Sequence, residues 1–265
     1  MICLALDTCT NWGRFTLARG ADVLVDRPHN VTGSYADSLL PLLDGMLEEA
    51  GLARADLDAL AVARGPGSFT GVRIGVATVK GLAFGLGVPL YAVSTLEAMA
   101  AAMLLERPDR DWAVPSLDAR RGELFAGVYR RRGAWVEAVA PPASLPMDAW
   151  WERVLEMAPD PEAPVYAGSG TSLLLGAGET LRPELRARGD ATLRCWSAAH
   201  PATAKALAWV LASGQAPFAP VHPFTLTPSY LRVSDAEVKR GLDLTPGGAD
   251  AGEAPVEDRR PQAGS

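Results

Sequence analysis

Residues 64–75, Arg-Gly-Pro-Gly-Ser-Phe-Thr-Gly-Val-Arg-Ile-Gly, form the run of this 265-residue chain whose types and spacing most suggest chemistry. The apolar run Ala59–Ala63 precedes it, and a second apolar run, Val72–Leu86, follows with helical spacing. A glycine-rich turn between strand and helix aims backbone N–H groups at an anion or lets two elements pack closely. It is not the phosphate loop of nucleotide hydrolases, because no Lys-Ser/Thr follows the last glycine. It is not the dinucleotide fingerprint, because Gly65, Gly67 and Gly71 are spaced GxGxxxG, one residue too long, and Pro66 stiffens the turn. Ser68 and Thr70 carry hydroxyls, but no histidine lies nearby in sequence to serve as a base. Capping the following helix is their expected work.

Other reactive residue types are sparse. The three histidines, His29, His200 and His222, have no paired spacing, so no metal site is expected. Cys3, Cys9 and Cys195 show neither a CxxC motif nor a disulfide framework, which reads as reduced thiols in a cytoplasmic protein. The formal net charge is −6, and about half of it lies in residues 241–265, where five acids outnumber Arg259 and Arg260. A mildly acidic folded part argues against a principal nucleic-acid binder. The densest basic clusters, Arg120-Arg121 and Arg130-Arg131-Arg132, read as solvated hairpin tips, with tRNA contact as the minority alternative. The chain reaches Asp7 after a short apolar run with no basic start, so no leader is expected. No apolar stretch approaches the ~20 residues of a membrane span.

The elements that position these residues follow from apolar periodicity. Ile2–Leu6 reads as a buried strand, Asp7–Gly13 as a polar turn containing the bulky Trp12, and Arg14–Ala18 as the return strand of a hairpin. Ala36–Ala50 carries Leu39, Leu43 and Leu47 at helical spacing, with Gly51 as its stop and Pro41 tolerable only near its start or at a kink. In the helix after the glycine run, Gly71, Gly75, Thr78, Gly81 and Gly85 make a small-residue side, and Val72, Val76 and Val79 a bulky one. Interior glycines cost about 1 kcal/mol each relative to alanine, so close packing against another element must offset them. Val88–Val93 is the next strand, and Ser94-Thr95-Leu96-Glu97 has capping-box spacing for a helix to about Leu105. After the charged linker Glu106–Asp111 the opening pattern returns. Val114–Leu117 leads into Asp118, a turn at Ala119–Gly122 and the alternating strand Leu124–Tyr129, which suggests an internal duplication. Val165–Ala167 runs into Gly168-Ser169-Gly170, with Thr171 as a helix cap, and Ala202–Ser213 is a helix stopped by Gly214.

Leu4–Thr8, Gly65–Gly75, Val93–Leu96, Asp118–Glu123 and Pro228-Ser229-Tyr230-Leu231-Arg232 closely resemble the TsaB family, older name YeaZ. The match covers roughly residues 1–130 plus the Tyr-Leu-Arg segment. The resemblance implies the α/β actin/Hsp70/sugar-kinase-like (ribonuclease H-like) duplicated two-domain fold, mixed sheets flanked by helices. With the charged linker as the boundary, the first domain spans 1–110 and a second, degenerate domain 111–240, while the proline-, glycine- and acid-rich residues 241–265 lie beyond the match and read as a disordered acidic tail. The resemblance also implies a non-catalytic accessory subunit of the bacterial tRNA threonylcarbamoyladenosine complex, which holds and activates the paralogous transferase TsaD beside the ATPase TsaE. tRNA is then touched only through the complex, no membrane is involved, and an isolated preparation self-pairs as a homodimer. The expected partner surface is Leu39, Leu43 and Leu47 together with Val72, Gly75, Val76, Val79, Gly81 and Leu82. The glycine loop is Gly65, Gly67, Ser68, Thr70, Gly71 and Arg73. No cofactor is intrinsic; a residual ATP/ADP site at a subunit boundary would use Asp7, Asp118, Gly168 and Gly170. Where TsaD-like relatives carry two metal-binding histidines, this chain has Thr95 and Met99, and Tyr35 stands where many TsaB sequences have a histidine. The competing reading is an active ATP-dependent kinase or hydrolase, or a glycoprotease-like enzyme, of the same fold.

Overall fold

The computed structural model describes residues 1–10, 12–30, 35–158, 164–174 and 202–232. His200, Cys195 and the expected tail from 241 onward lie outside the described residues. Residues 1–232 belong to one compact unit.

The apolar alternation at the start folds as a hairpin. β1 (Ile2–Asp7) pairs antiparallel with β2 (Trp12–Arg19), Leu4 opposite Leu17 and Asp7 opposite Arg14. Trp12 therefore begins a strand rather than filling the turn, and its ring is exposed. β3 (Asp22–Asn30), α1 (Tyr35–Glu49), β4 (Ala59–Ala63), α2 (Phe69–Leu86), β5 (Leu90–Val93) and α3 (Thr95–Glu106) follow. α1 begins at Tyr35, more than a turn ahead of Pro41, so the proline lies inside the helix rather than at its start. The second half supplies β6 (Trp112–Arg120), β7 (Glu123–Arg132), β8 (Trp135–Pro146), α4 (Met147–Met157), β9 (Pro164–Ala167) and α5 (Thr203–Ala212).

The first sheet has the order β3-β2-β1-β4-β5, the second β8-β7-β6-β9. Four strands of the first recur in the second with the same senses: two antiparallel steps, then one parallel step from β1 to β4 and from β6 to β9. The duplication suspected from the two hairpins is thus a repeat of strand order.

Strand alternation sorts side chains by size. Leu4, Leu6, Phe15, Leu17, Leu60 and Val62 point into a core shared with α1 and α2. Cys3, Ala5, Ala18, Ala59 and Ala61 point the other way, into a core shared with α3 and α5. Those helices are themselves alanine-rich on their buried sides (Ala98, Ala101, Ala102, Ala204, Ala208), so small residues meet small residues and the layers approach closely. α5 follows the second sheet in sequence, yet it packs on β1, β2 and β4 and against α3.

α2 is capped at both ends: Ser68 Oγ accepts the Gly71 N–H at 3.3 Å, and Gly87, with φ 70°, donates its N–H to Ala83 O. Burial of Val72, Val76 and Val79 contributes about 1.5–3 kcal/mol each, which outweighs the cost of the helix's glycines. At 18 residues α2 is long and apolar enough to cross a membrane by length and composition, contrary to the expectation that no stretch comes near. Its bulky side is instead seated on the first sheet.

Candidate functional site

The β1–β2 turn and the glycine loop meet at the end of β1. Thr8 donates its hydroxyl to Gly71 O at 2.7 Å, and Ser68 N–H donates to Cys9 O at 2.6 Å. A Cβ on Gly67 would run into Cys9 O, one on Gly71 into Thr8 O and one on Gly75 into the Thr8 hydroxyl. Backbone lies against Gly67 and Gly71, and the Thr8 side chain against Gly75, so a side chain has no room at any of the three. The loop spends itself on holding the turn, and Ser68 caps α2 as its spacing predicts.

Asp7 is buried, with a hydrogen bond at each carboxylate oxygen. Its Oδ1 accepts the Cys9 N–H at 2.8 Å, and its Oδ2 takes the hydroxyl of Thr203 at the start of α5. Behind it a buried relay runs from the Gly65 N–H to the Thr95 hydroxyl (3.1 Å), on to Cys9 Sγ (3.0 Å), and from the Cys9 thiol to Ala63 O (3.2 Å). Burial, reinforced by the Asp7 charge, pushes the Cys9 thiol well up, and burial pushes Cys3 up to about 12. Both thiols are therefore protonated and poorly nucleophilic at neutral pH. Thr95 is a hydrogen-bond relay, and Met99 packs its Cε beside Gly168. Among the described residues no group of three or more His, Cys, Asp or Glu side chains is placed to hold a metal ion. Tyr35 donates its hydroxyl to Thr10 O at 2.9 Å and packs edge-on against Phe15, pinning the same turn.

Asp118 is differently placed. It lies two residues before the end of β6, at a bulge, accepts the Arg120 N–H at 2.7 Å and is about one-third exposed (32%). Gly168 and Gly170, expected as an adenosine loop, are packed on β6. A Cβ on Gly168 would meet Ser116 O, and one on Gly170 would lie 3.0 Å from the Leu117 carbonyl carbon. Thr171 pairs its hydroxyl with Ser116 at 3.1 Å.

A strap from the end of the described chain crosses the glycine loop and α2. Ser229 N–H donates to Arg64 O (2.7 Å), Arg73 Nε to the Tyr230 hydroxyl (2.9 Å) and Lys80 Nζ to Leu226 O (2.9 Å). The Arg73 guanidinium also stacks 3.7 Å above the Phe69 ring. The Pro228–Arg232 motif was visible in the sequence, but nothing there said what it touches. No local signal marked Thr203 as the partner of Asp7.

The expected partner surface needs correction. Leu39, Leu43, Leu47, Val72, Gly75, Val76 and Val79 are buried within this chain's own core, because α1 and α2 turn these residues toward the first sheet. Only Gly81 and Leu82 of that set reach the surface. The outward side of α2 is Arg73, Ala77, Gly81, Phe84 and Gly85, with Leu40 exposed on α1. Phe84 is 67% exposed and rests 5.3 Å from the equally bare ring of Phe224. The capping box of α3 does not close either: Ser94 makes no cap bond, and Glu97 turns to accept Trp135 Nε1–H at 2.6 Å. Of the basic clusters, Arg131 donates to the Leu104, Arg107 and Arg110 carbonyls at the end of α3. Arg130 pairs with Glu137 at 2.6 Å.

The family model for TsaD, tRNA N6-adenosine threonylcarbamoyltransferase, matches residues 27–161. The tRNA threonylcarbamoyladenosine biosynthesis protein TsaB of Bacillus subtilis is 32% identical over 90% of this chain and 97% of its own length. That of Haemophilus influenzae is 40% identical over 49% of this chain and 54% of its own. The solved structure of YeaZ from Pseudomonas aeruginosa superposes with a TM-score of 0.64 at 28% identity, covering 87% of this chain and 99% of that one. Repeated strand order, the helices on the sheets and these likenesses define a protein of the actin/Hsp70/sugar-kinase-like class. Within that class, the chain belongs to the TsaB family.

Proposed function

We propose that this chain is a non-catalytic scaffold of tRNA threonylcarbamoyladenosine synthesis that binds and activates a TsaD-type transferase. The observation that carries this reading is the outward side of α2. Ala77, Gly81 and Gly85 leave a shallow, backbone-lined track, and Phe84 projects beside it into solvent. A small-residue track lets a partner helix approach closely, and an exposed aromatic beside it supplies apolar area to bury. The use of both Asp7 oxygens within the chain's own core and the protonated, buried thiols support the non-catalytic part.

In this reading the same track pairs two copies when the partner is absent, TsaE joins the assembled complex, and ATP or ADP is held only at a subunit boundary. tRNA is reached through the complex, in the cytoplasm. Gly81 faces open space, so Gly81→Leu leaves the melting temperature within about 2 °C and weakens capture of the transferase by about tenfold or more. Size-exclusion and calorimetric titration of the two purified subunits measure both. Undiminished complex formation by this variant would remove the track as the interface. Tight Mg-ATP binding with turnover by the lone chain would replace the scaffold with an enzyme.

A further inference from the structure

A cavity of about 310 Å³ opens between the end of α3, the β7–β8 turn and α5. Its apolar walls are Leu104 and Leu105 from α3, Trp135 and Val136 from β8, and Trp209 from α5. Small residues at Ala101, Gly133 and Ala134 leave the space unfilled, and a Cβ added at Gly133 would meet no atom within 4 Å. Deeper in, the same helices pack alanine against alanine, so the gap is local. The largest wall is held in place: Glu97 accepts the Trp135 Nε1–H at 2.6 Å, and the Trp135 ring lies edge-on to Phe218, 5.3 Å away. Trp209 is half-buried and Leu105 is 38% exposed, so apolar surface is left bare at the mouth.

The polar groups that line the cavity can all donate. Arg131 commits Nε to Asp111 and Nη2 to the Leu104, Arg107 and Arg110 carbonyls. Among the described residues, its Nη1, the Trp209 Nε1–H and the Gln215 amide have no hydrogen-bond partner. Around Arg131, Arg107 and Arg110 share Asp109, Arg130 and Arg132 share Glu137, and Glu106 lies in the field of Lys205. Positive charge is therefore in excess among the described residues at this end of α3. Rigid aromatic and aliphatic walls with unspent donors suit a ligand with a flat apolar body and an anionic, acceptor-rich head. The volume stands at the low end of the roughly 300–1,000 Å³ of small-molecule sites, which limits the body to one or two rings.

We propose that this cavity binds a small aromatic carboxylate, its ring against Trp135 and Trp209 and its carboxylate toward Arg131 and Gln215. The cavity lies at the opposite end of α3 from Thr95 and the glycine loop, so it stands or falls independently of the α2 track. The test is calorimetric titration of the full chain with indole-3-acetate and with phenylacetate, with indole-3-acetamide and acetate as controls. One or both aromatic acids should bind saturably with a Kd of about 1 mM or tighter, the amide about tenfold more weakly than its acid, and acetate not at all. Ala134→Phe, at a half-buried turn residue, fills the cavity and should abolish binding while the melting temperature stays within about 3 °C. Leu105→Glu and Leu105→Lys alter the same exposed wall and differ in charge, so the acid should bind the glutamate variant about tenfold more weakly than the lysine variant. No saturable binding of either acid up to about 10 mM, equal affinity for acid and amide, binding untouched by Ala134→Phe, or equal affinity in the two Leu105 variants would overturn the site.

Discussion

The hairpins that open the two sheets share strand order, an aspartate and a turn, yet one is fused into the core and the other stands free. In the first, Asp7 is buried at the end of β1, and its turn lies beneath the glycine loop, α5 and Tyr35. In the second, Asp118 is a third exposed: its carboxylate holds only its own turn, whose Arg120 and Arg121 adopt left-handed backbone (φ 66° and 55°), and its N–H donates to Ser169 Oγ at 3.1 Å. The two copies share strand order and differ in what packs behind them. The copy beneath a glycine loop became a clamp, in which Asp7, Thr8 and the Cys9 thiol are each answered from within the chain.

The largest test of that contrast is steric. Gly71→Ala drives a methyl into the Thr8 carbonyl, with backbone on both sides and no flexible side chain to yield. About 3 kcal/mol of stability or more should be lost in urea unfolding. Gly122→Ala in the second hairpin meets only open space, at φ 79°, and should cost about 1–2 kcal/mol for the left-handed backbone alone. Equal losses would erase the distinction between clamp and free turn.

Next come the aspartates. Asp7→Ala strands the Cys9 N–H and the Thr203 hydroxyl in the core, at about 1–3 kcal/mol for each group. Asp118→Ala loses one partly exposed turn bond and a loose surface ion pair with Arg120, and should cost about 1 kcal/mol or less. Thermal unfolding of the pair sharpens the comparison, and a costlier Asp118→Ala would reverse it.

The smallest effect is on pH dependence. Burial alone would raise the Asp26 carboxyl, but the bonds from Arg14 and Thr16 prevail and hold it below the usual range. Its contribution is present above the ordinary carboxylate pKa of about 4 and is lost as pH falls through the lower folded value. Asp26→Asn should therefore flatten the acid limb of a stability–pH curve. Glu97 has the opposite sign: its raised pKa makes stability fall as pH climbs from about 4 through the folded value, so Glu97→Gln flattens that limb instead. A slope unchanged in either variant would break the corresponding assignment.

Much of the molecule was legible from residue order. Alternation placed β2 and β7, because a half-buried strand needs a period of two, and an unbroken apolar run placed the buried β1. The glycine-loop motif and the Tyr-Leu-Arg segment identified the family. Where reading failed, the cause was direction. A helix with bulky residues on one side and glycines scattered around it does not reveal which side meets its own sheet, so Val72, Val76 and Val79 were expected outside and lie inside. Gly75 shows the same limit, since its smallness serves Thr8 rather than a partner. The α3 capping box failed because Trp135, 38 residues downstream of Glu97, competes for the carboxylate better than a local backbone N–H.

By itself, the sequence determined the period of most elements, the repeat of strand, aspartate and turn, the cap at Ser68, and membership of the TsaB family. Only the tertiary structure decided that Thr203 answers Asp7 from 196 residues away, that Ser229 closes over Arg64, and which side of α2 is left for a partner. The physical reason is range. Propensity, capping and alternation act over one or two turns of chain, whereas the saturation of a buried polar group depends on whichever distant segment the packing of two sheets brings alongside it.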